Sequence, residues 1–298
     1  SRASKRIGGL IRKVAATEST VLITGETGVG KELVARTLHE MSARHRGPFV
    51  TVDCGALVES LFESELFGHT KGSFTGAVRD AQGKFELANG GTMFLDEVAN
   101  IGINLQARLL RVVEEREVTR VGGAGRIQLD VRIVAATNRN LLEEVQAGRF
   151  REDLFYRFNV VPIRIPPLRE RREDVPLLAE HFMRKLCEER GFERLRFTPE
   201  ALRTLEAYDW PGNVRELRNI VERAIVTCEG ERIEAEDLFD EDARPTPAEA
   251  ETAGGSLAER EKAAIISALE QFDGHRTKAA EHLGINRKTL REKIRKHG

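Results

Sequence analysis

VLITGETGVGKE, residues 21–32, is an apolar run that breaks into glycine and closes on a lysine. Val21 to Thr24 are aliphatic or β-branched, as a strand buried on both faces requires. Gly25 to Lys31 then spell G-x-x-x-x-G-K, and ELVARTLHEMSARH, residues 32–45, follows with helical spacing. Strand, glycine loop and helix in that order make a phosphate cradle. The glycines let backbone N–H groups curl around phosphate oxygens, the helix start adds positive potential, and Lys31 reaches the outer phosphates. Gly25, Glu26, Thr27, Gly28, Val29, Gly30, Lys31 and Glu32 are therefore the candidate nucleotide-binding residues. The competing reading is a glycine-rich turn with no ligand. Glu32 stands where a magnesium-binding Ser or Thr usually follows the lysine.

Four more apolar runs, FVTVDC (49–54), TMFLDE (92–97), VRIVAATN (131–138) and VVPIRI (160–165), alternate with helical patterns such as LQARLLRVVEE (105–115). This alternation predicts an α/β fold, a parallel sheet covered by helices on both faces. REVTRVGGAGRIQLDV, residues 116–131, reads as an inserted hairpin with Gly122, Gly123 and Gly125 at its tip. After Pro166-Pro167 the strand signals stop, and residues 174–190 and 199–230 read as helices only. Residues 240–256, DEDARPTPAEAETAGGS, have the composition of a linker. Ser256 and Glu259 form a capping box that opens a further unit. The expected organisation is an α/β subdomain over 1–167, a helical subdomain over 168–239, a linker over 240–255 and an all-α unit over 256–298.

The chain has 298 residues, 40% hydrophobic and 32% charged, with a net charge of −1. Residues 275–298 hold eight Lys or Arg against two Glu, a surplus of six positive charges, so the remainder is acidic. Cys54, Cys187 and Cys228 fit no metal-ligand spacing and suggest a reducing compartment. No apolar run approaches the roughly 18 residues of a membrane span, and no signal peptide opens the chain. A cytoplasmic protein with no membrane partner is expected. Ser1 is not an initiator residue, so further residues are expected upstream.

GGTMFLDE, residues 90–97, ends a buried strand in two acids. Asp96 can hold Mg2+, and Glu97 can orient or deprotonate an attacking water, which separates ATP hydrolysis from mere binding. The alternative is two acids on a strand-end loop. Asn138, after VRIVAAT, lies at the carboxyl edge of another strand, where ligands of α/β sheets bind. Alone it reads as a turn residue; beside the other two motifs it reads as a sensor of the terminal phosphate. GRFREDLFYRFN, residues 148–159, carries Arg149, Arg151 and Arg157. Arg149 reads as a solvated helix face, whereas Arg151 or Arg157 could enter a neighbouring subunit's site as an arginine finger.

TKAAEHLGINRKTLREKIRKHG, residues 277–298, reads as helix-turn-helix, with Ala279, Ala280, Leu283, Leu290 and Ile294 inward and Gly284 at the turn. Arg287, Lys288, Thr289, Arg291, Lys293 and Arg295 are left to face double-stranded DNA. A basic solvated helix is the alternative. Ile265, Leu269 and Phe272 form a stripe on the preceding helix, 257–272.

ELFGHTKGSFTGA, residues 65–77, places Phe74 between Gly72 and Gly76, an arrangement that suits neither a core strand nor an ordinary loop. Together these motifs resemble the sigma-54-dependent transcription activators, the bacterial enhancer-binding AAA+ ATPases of the NtrC type. GETGVGKE is similar to their Walker A, where glutamate after the lysine is usual, and GGTMFLDE to their Walker B. AATNRNL resembles their sensor I, FREDLFYRFNVVPIRIPPLRERREDV their arginine-finger region and WPGNVREL (210–217) their sensor II. The resemblance covers nearly the whole chain and implies an AAA+ fold with a helical lid and a dimeric Fis-type DNA-binding unit. It implies that Gly72, Ser73, Phe74, Thr75, Gly76 and Ala77 contact sigma-54 in the RNA polymerase holoenzyme, and that Arg151 and Arg157 reach a neighbouring subunit. It implies that Arg215 meets nucleotide from the lid. A ring of six or seven subunits would spend ATP to remodel the closed promoter complex while bound to upstream DNA, in the usual setting of a two-component system. The family's receiver or sensor domain does not fall within these residues. Ser73 replaces the family's alanine, and Asp53 replaces the asparagine that restrains the catalytic glutamate in many members, so repulsion between Asp53 and Glu97 is expected. The rival readings are an AAA+ ATPase that does not engage sigma-54, and a DNA-binding regulator with an inert nucleotide domain. The GSFTGA loop argues against the first; intact Lys31, Asp96 and Glu97 argue against the second.

Overall fold

The computed structural model describes residues 1–55, 59–74, 77–191, 195–228 and 230–239. The linker, the helix-turn-helix residues and, in the loop, Thr75 and Gly76 lie outside the described residues. The chain divides into the units Ser1–Leu238 and Phe239–Gly298, and the architecture below is that of the first.

Helix α1 (Arg2–Ala15) leads to β1 (Val21–Thr24), α2 (Lys31–Glu40) and β2 (Phe49–Asp53). Helix α3 (Glu59–Phe67), the antiparallel pair β3 (Gly68–His69) and β4 (Ala81–Gln82), and the short α4 (Lys84–Leu87) precede β5 (Thr92–Asp96). Helix α5 (Ile103–Glu115) is followed by the expected hairpin, β6 (Glu117–Thr119) against β7 (Arg126–Gln128). Then come β8 (Arg132–Thr137), α6 (Leu141–Gln146), α7 (Glu152–Phe158) and β9 (Val161–Arg164). The lid comprises α8 (Val175–Arg190), β10 (Arg196–Phe197), α9 (Pro199–Ala207), α10 (Asn213–Thr227) and β11 (Arg232–Ile233).

The five long apolar runs form one parallel sheet in the order β2-β5-β8-β1-β9. Successive side chains of a strand point to opposite faces, and here both faces are covered. Leu22, Met93, Leu95, Ile133 and Ala135 pack on one side with α3, α5 and α7. Val21, Ile23, Phe94, Val134 and Ala136 pack on the other with α1 and α2. Register then brings Asp53 level with Asp96, and Thr24 level with Thr137, at the carboxyl edge.

Three local expectations are corrected. Helix α2 ends at Glu40, not near residue 45, because Ser42 Oγ donates to His39 O at 2.7 Å and accepts from Arg44 N–H at 3.1 Å. A serine that bonds the backbone locally competes with helix continuation. Strands do not stop after Pro167: β10 and β11 pair in parallel, but two-residue strands carry no periodicity to read. The 199–230 stretch breaks at Tyr208–Gly212, where Trp210 takes a left-handed φ of 54°, and Asn213, which opens α10, one of 55°. Helix α1 escaped the sequence reading. Its last carbonyls, Val14 O and Ala15 O, accept from the buried Arg132 guanidinium at 2.9 and 3.2 Å, which fixes the helix against the start of β8.

Trp210 is the chain's sole tryptophan and is fully buried, with Nε1 donating to Leu205 O at 2.8 Å. Trp210→Ala should destabilise this unit by about 3–5 kcal/mol through cavity formation, read as a lowered urea midpoint in circular dichroism.

Candidate active site

The loop after β1 carries the candidate phosphate site. Gly28 has φ 82°, and a Cβ there would lie 2.3 Å from Gly212 O, so glycine is required twice over. Lys31 opens α2 and is only 7% exposed, and a buried ammonium needs partners. Its Nζ donates to Gly25 O at 3.1 Å and to Glu97 Oε1 at 2.9 Å. Glu97, in the left-handed region at φ 53°, also accepts from Asn138 N–H at 3.0 Å through Oε2. Asn138 Nδ2 donates back to Thr27 Oγ1 at 3.1 Å. Lysine, glutamate, asparagine and threonine thus close a ring of contacts across the ends of β1, β5 and β8.

Asp96 sits beside this ring, and its Oδ1 accepts Glu97 N–H at 3.0 Å. Burial pushes its carboxyl above the ordinary range; Lys31 opposes the shift, while Glu97 and Asp53 add to it. Among the described residues no group of three or more His, Cys, Asp or Glu is arranged to hold a metal ion. Asp96 is the one acid here that neither pairs with Lys31 nor caps a turn. Asp53 does not turn toward Glu97: its Oδ1 accepts Gly55 N–H at 2.9 Å. Asp53 adds the smallest of the pushes on the Asp96 carboxyl. Cys54 lies behind the acids, and burial pushes its thiol well up, with Asp53, Asp96 and Glu97 adding to the effect, which leaves it protonated.

The arginines are placed differently. Arg151 pairs with Asp153 at 2.7 Å and Arg157 with Glu114 at 2.7 Å, both away from the chain's own glycine loop. Arg149 pairs with Glu144 at 2.6 Å. Arg215, near the start of α10, has an exposed side chain, and its backbone N–H donates to Gly28 O at 3.2 Å. Glu32 is exposed and pairs with Arg36 at 3.0 Å along the helix. Besides Arg171, whose Nη2 donates to Val29 O at 3.1 Å, two further lid residues on the loop were missed. Arg169 grips Glu26 with both terminal nitrogens, at 2.5 and 2.8 Å, which holds that carboxyl below its usual range. Asn213 donates to Glu26 and to Thr27 O, both at 3.1 Å. Both lie within quoted motifs, PPLRERRED and WPGN, but nothing local tied them to residue 26.

The Phe74 loop leaves the sheet on β3 and returns on β4. Gly72, at φ 81°, donates to Ala77 O at 2.9 Å, and Ala77 N–H donates to Phe74 O at 3.0 Å. Phe74 is 39% exposed and meets His69 edge-on at 5.0 Å, so it does not belong to the core. The loop leans on the β6–β7 hairpin: Thr70 N–H donates to Val121 O at 3.0 Å, and Ser73 lies against Gly122. Among the described residues the Ser73 hydroxyl is buried there without a hydrogen-bond partner.

Residues 1–164 match the family model described as the sigma-54 interaction domain. Residues 169–254 match an AAA+ ATPase lid domain, and residues 256–297 match bacterial regulatory proteins of the Fis family. The chain is 54% identical over 286 residues to the transcriptional regulatory protein ZraR of Salmonella typhimurium, covering 95% of this chain and 65% of that one. It is 48% identical over 295 residues to the regulatory protein AtoC of Escherichia coli, covering 96% and 64%. The chain thus spans just under two thirds of the length of these relatives. NtrX from Brucella abortus, solved with ADP, aligns over 100% of this chain and 69% of its own at a TM-score of 0.75 and 38% identity. The same protein solved with ATP aligns with a TM-score of 0.73.

Glu97→Gln should retain ADP binding and lower ATP hydrolysis by about 10²–10⁴-fold, the usual worth of a positioned general base; a steady-state phosphate-release assay reads it. Asp96→Asn should raise the melting temperature of the nucleotide-free protein at neutral pH. The raised carboxyl binds its proton more tightly when folded, so its ionised form costs stability at pH 7. The advantage of Asn should shrink as pH falls and Asp96 is protonated, which a pH series of thermal melts checks.

Proposed function

This chain belongs to the sigma-54 interaction domain family of AAA+ ATPases, and we propose that it is a ring-forming activator that remodels the sigma-54 RNA polymerase holoenzyme. Bound to upstream double-stranded DNA, it couples ATP hydrolysis to rearrangement of the closed promoter complex. The observation that carries this reading is Phe74, held half in solvent on a loop braced by a hairpin. An exposed aromatic is a compact anchor for a partner.

In this reading Lys31 exchanges its partner Glu97 for nucleotide phosphates, which frees the Glu97 carboxylate to orient and deprotonate water. Asn138 holds Glu97 through its backbone and Thr27 through its side chain, so it registers the state of both motifs. Asp96 holds the magnesium ion, whose charge balances the phosphates when bound. Gly25 to Glu32 cradle the nucleotide, with Arg215 approaching from the lid. Arg151 and Arg157 leave their surface ion pairs to enter a neighbouring subunit's site, which makes a closed ring of six or seven subunits the active form. Gly72 to Ala77 contact sigma-54. Arg287, Lys288, Thr289, Arg291, Lys293 and Arg295 contact DNA. The functional divisions are 1–167, 168–239, 240–255 and 256–298. Among the described residues no helix is long and apolar enough to cross a membrane.

Size-exclusion chromatography with purified sigma-54 tests this. A complex should form with ADP and a metal fluoride that mimics the transferring phosphate, and not without it. Phe74→Ala should weaken that complex by about 2 kcal/mol or more, roughly 30-fold, while ATP hydrolysis persists. No complex in either state, with hydrolysis intact, would favour an ATPase that does not engage sigma-54.

A further inference from the structure

The lid touches every residue of the phosphate loop from Glu26 to Val29. Asn213 Nδ2 donates to Thr27 O, Arg215 N–H donates to Gly28 O, and Arg171 Nη2 donates to Val29 O, at 3.1, 3.2 and 3.1 Å. Three successive carbonyls of the loop are therefore tied to the lid. In a planar trans peptide the C=O of one residue and the N–H of the next point in opposite directions. Drawing those carbonyls toward the lid turns the N–H groups of Gly28, Val29 and Gly30 to the other side. The Val29 N–H keeps only a long contact, 3.5 Å, to Glu26 O.

Asn213 is the centre of the arrangement. It is fully buried in the left-handed region, where asparagine is among the few residues tolerated. Its Nδ2 meets two acceptors, Glu26 Oε2 and Thr27 O, while its Oδ1 accepts Leu168 N–H at 2.8 Å. Arg169 completes the assembly by fixing Glu26 from outside.

We propose that Asn213, Arg169 and Glu26 form a positioning latch through which the lid holds the phosphate-binding amides in their anion-accepting orientation. The latch works in both directions. A lid that orients the amides favours nucleotide, and bound nucleotide favours the latched lid to the same extent. Any movement of the lid during turnover would thereby be tied to the backbone of the loop as well as to Arg215. The inference rests on Gly25 to Lys31 being the nucleotide site.

The test is calorimetric titration of the full chain with ADP. Arg169 and Glu26 are both partly exposed, at 41% and 43%, so their substitution leaves folding intact. Arg169→Gln and Glu26→Gln should each weaken ADP binding about three- to tenfold. The double variant should be no weaker than the worse single, because one interaction is lost in each case. Arg169→Lys should recover only part of the loss, since it cannot reproduce the two-pronged grip. Melting temperature without ADP should hold, while the ADP-induced rise shrinks. ATP turnover of Arg169→Gln should show a raised KM with little change in kcat. Asn213→Asp, of similar volume, puts a second carboxylate against Glu26 and should cost about tenfold or more in ADP affinity. Unchanged ADP affinity in both single variants, or additive losses in the double, would overturn the latch and leave the ATPase standing. Failure of the unsubstituted chain to bind ADP would overturn both.

Discussion

A single buried cation organises this site. Lys31 is almost wholly removed from water, and an unpaired ammonium there would cost several kcal/mol. Gly25 O and Glu97 satisfy it, so the phosphate loop is drawn to the end of β5. Glu97 in turn engages Asn138 beyond β8, and Asn138 engages Thr27, which returns the contacts to the loop. The parallel register of β1, β5 and β8 makes this closure possible by ending the three strands at one edge.

The same edge carries more acid than base. Asp53, Asp96 and Glu97 face one lysine, and the imbalance is felt at Asp96, whose carboxyl is raised chiefly by burial. A buried carboxylate of this kind costs the empty fold stability, a common division between stability and function. Asp53 Oδ1 caps its own turn at Gly55. Glu97 is held by Lys31 itself, so in the proposed reading its release would follow exchange of that partner for phosphate.

The loop bearing Phe74 follows a different logic. Its ends are stapled by β3 and β4, and its flank rests on the hairpin through Val121 and Gly122, yet its aromatic ring stays partly in solvent against His69. A loop held at its base with an exposed aromatic at its crest is suited to contact rather than to core formation. Among the described residues the buried Ser73 hydroxyl at the hairpin contact has no hydrogen-bond partner, and a desolvated polar group left so costs about 1–3 kcal/mol.

The order of apolar runs, the glycine loop, the acids after β5 and the hairpin were all legible from the chain alone, because each is encoded within a window of a few residues. The five strands and their two covered faces followed from continuous apolar runs alternating with helical spacing. The pairing of Lys31 with Glu97, the turn of Asp53 toward Gly55 and the lid's grip on the loop were not legible. Arg169 and Asn213 reach Glu26 across 143 and 187 residues. No periodicity or motif spacing specifies which side chains meet over such distances. Only packing of the lid against the sheet decides that, by burying groups whose hydrogen bonds must then be made with whatever lies within reach.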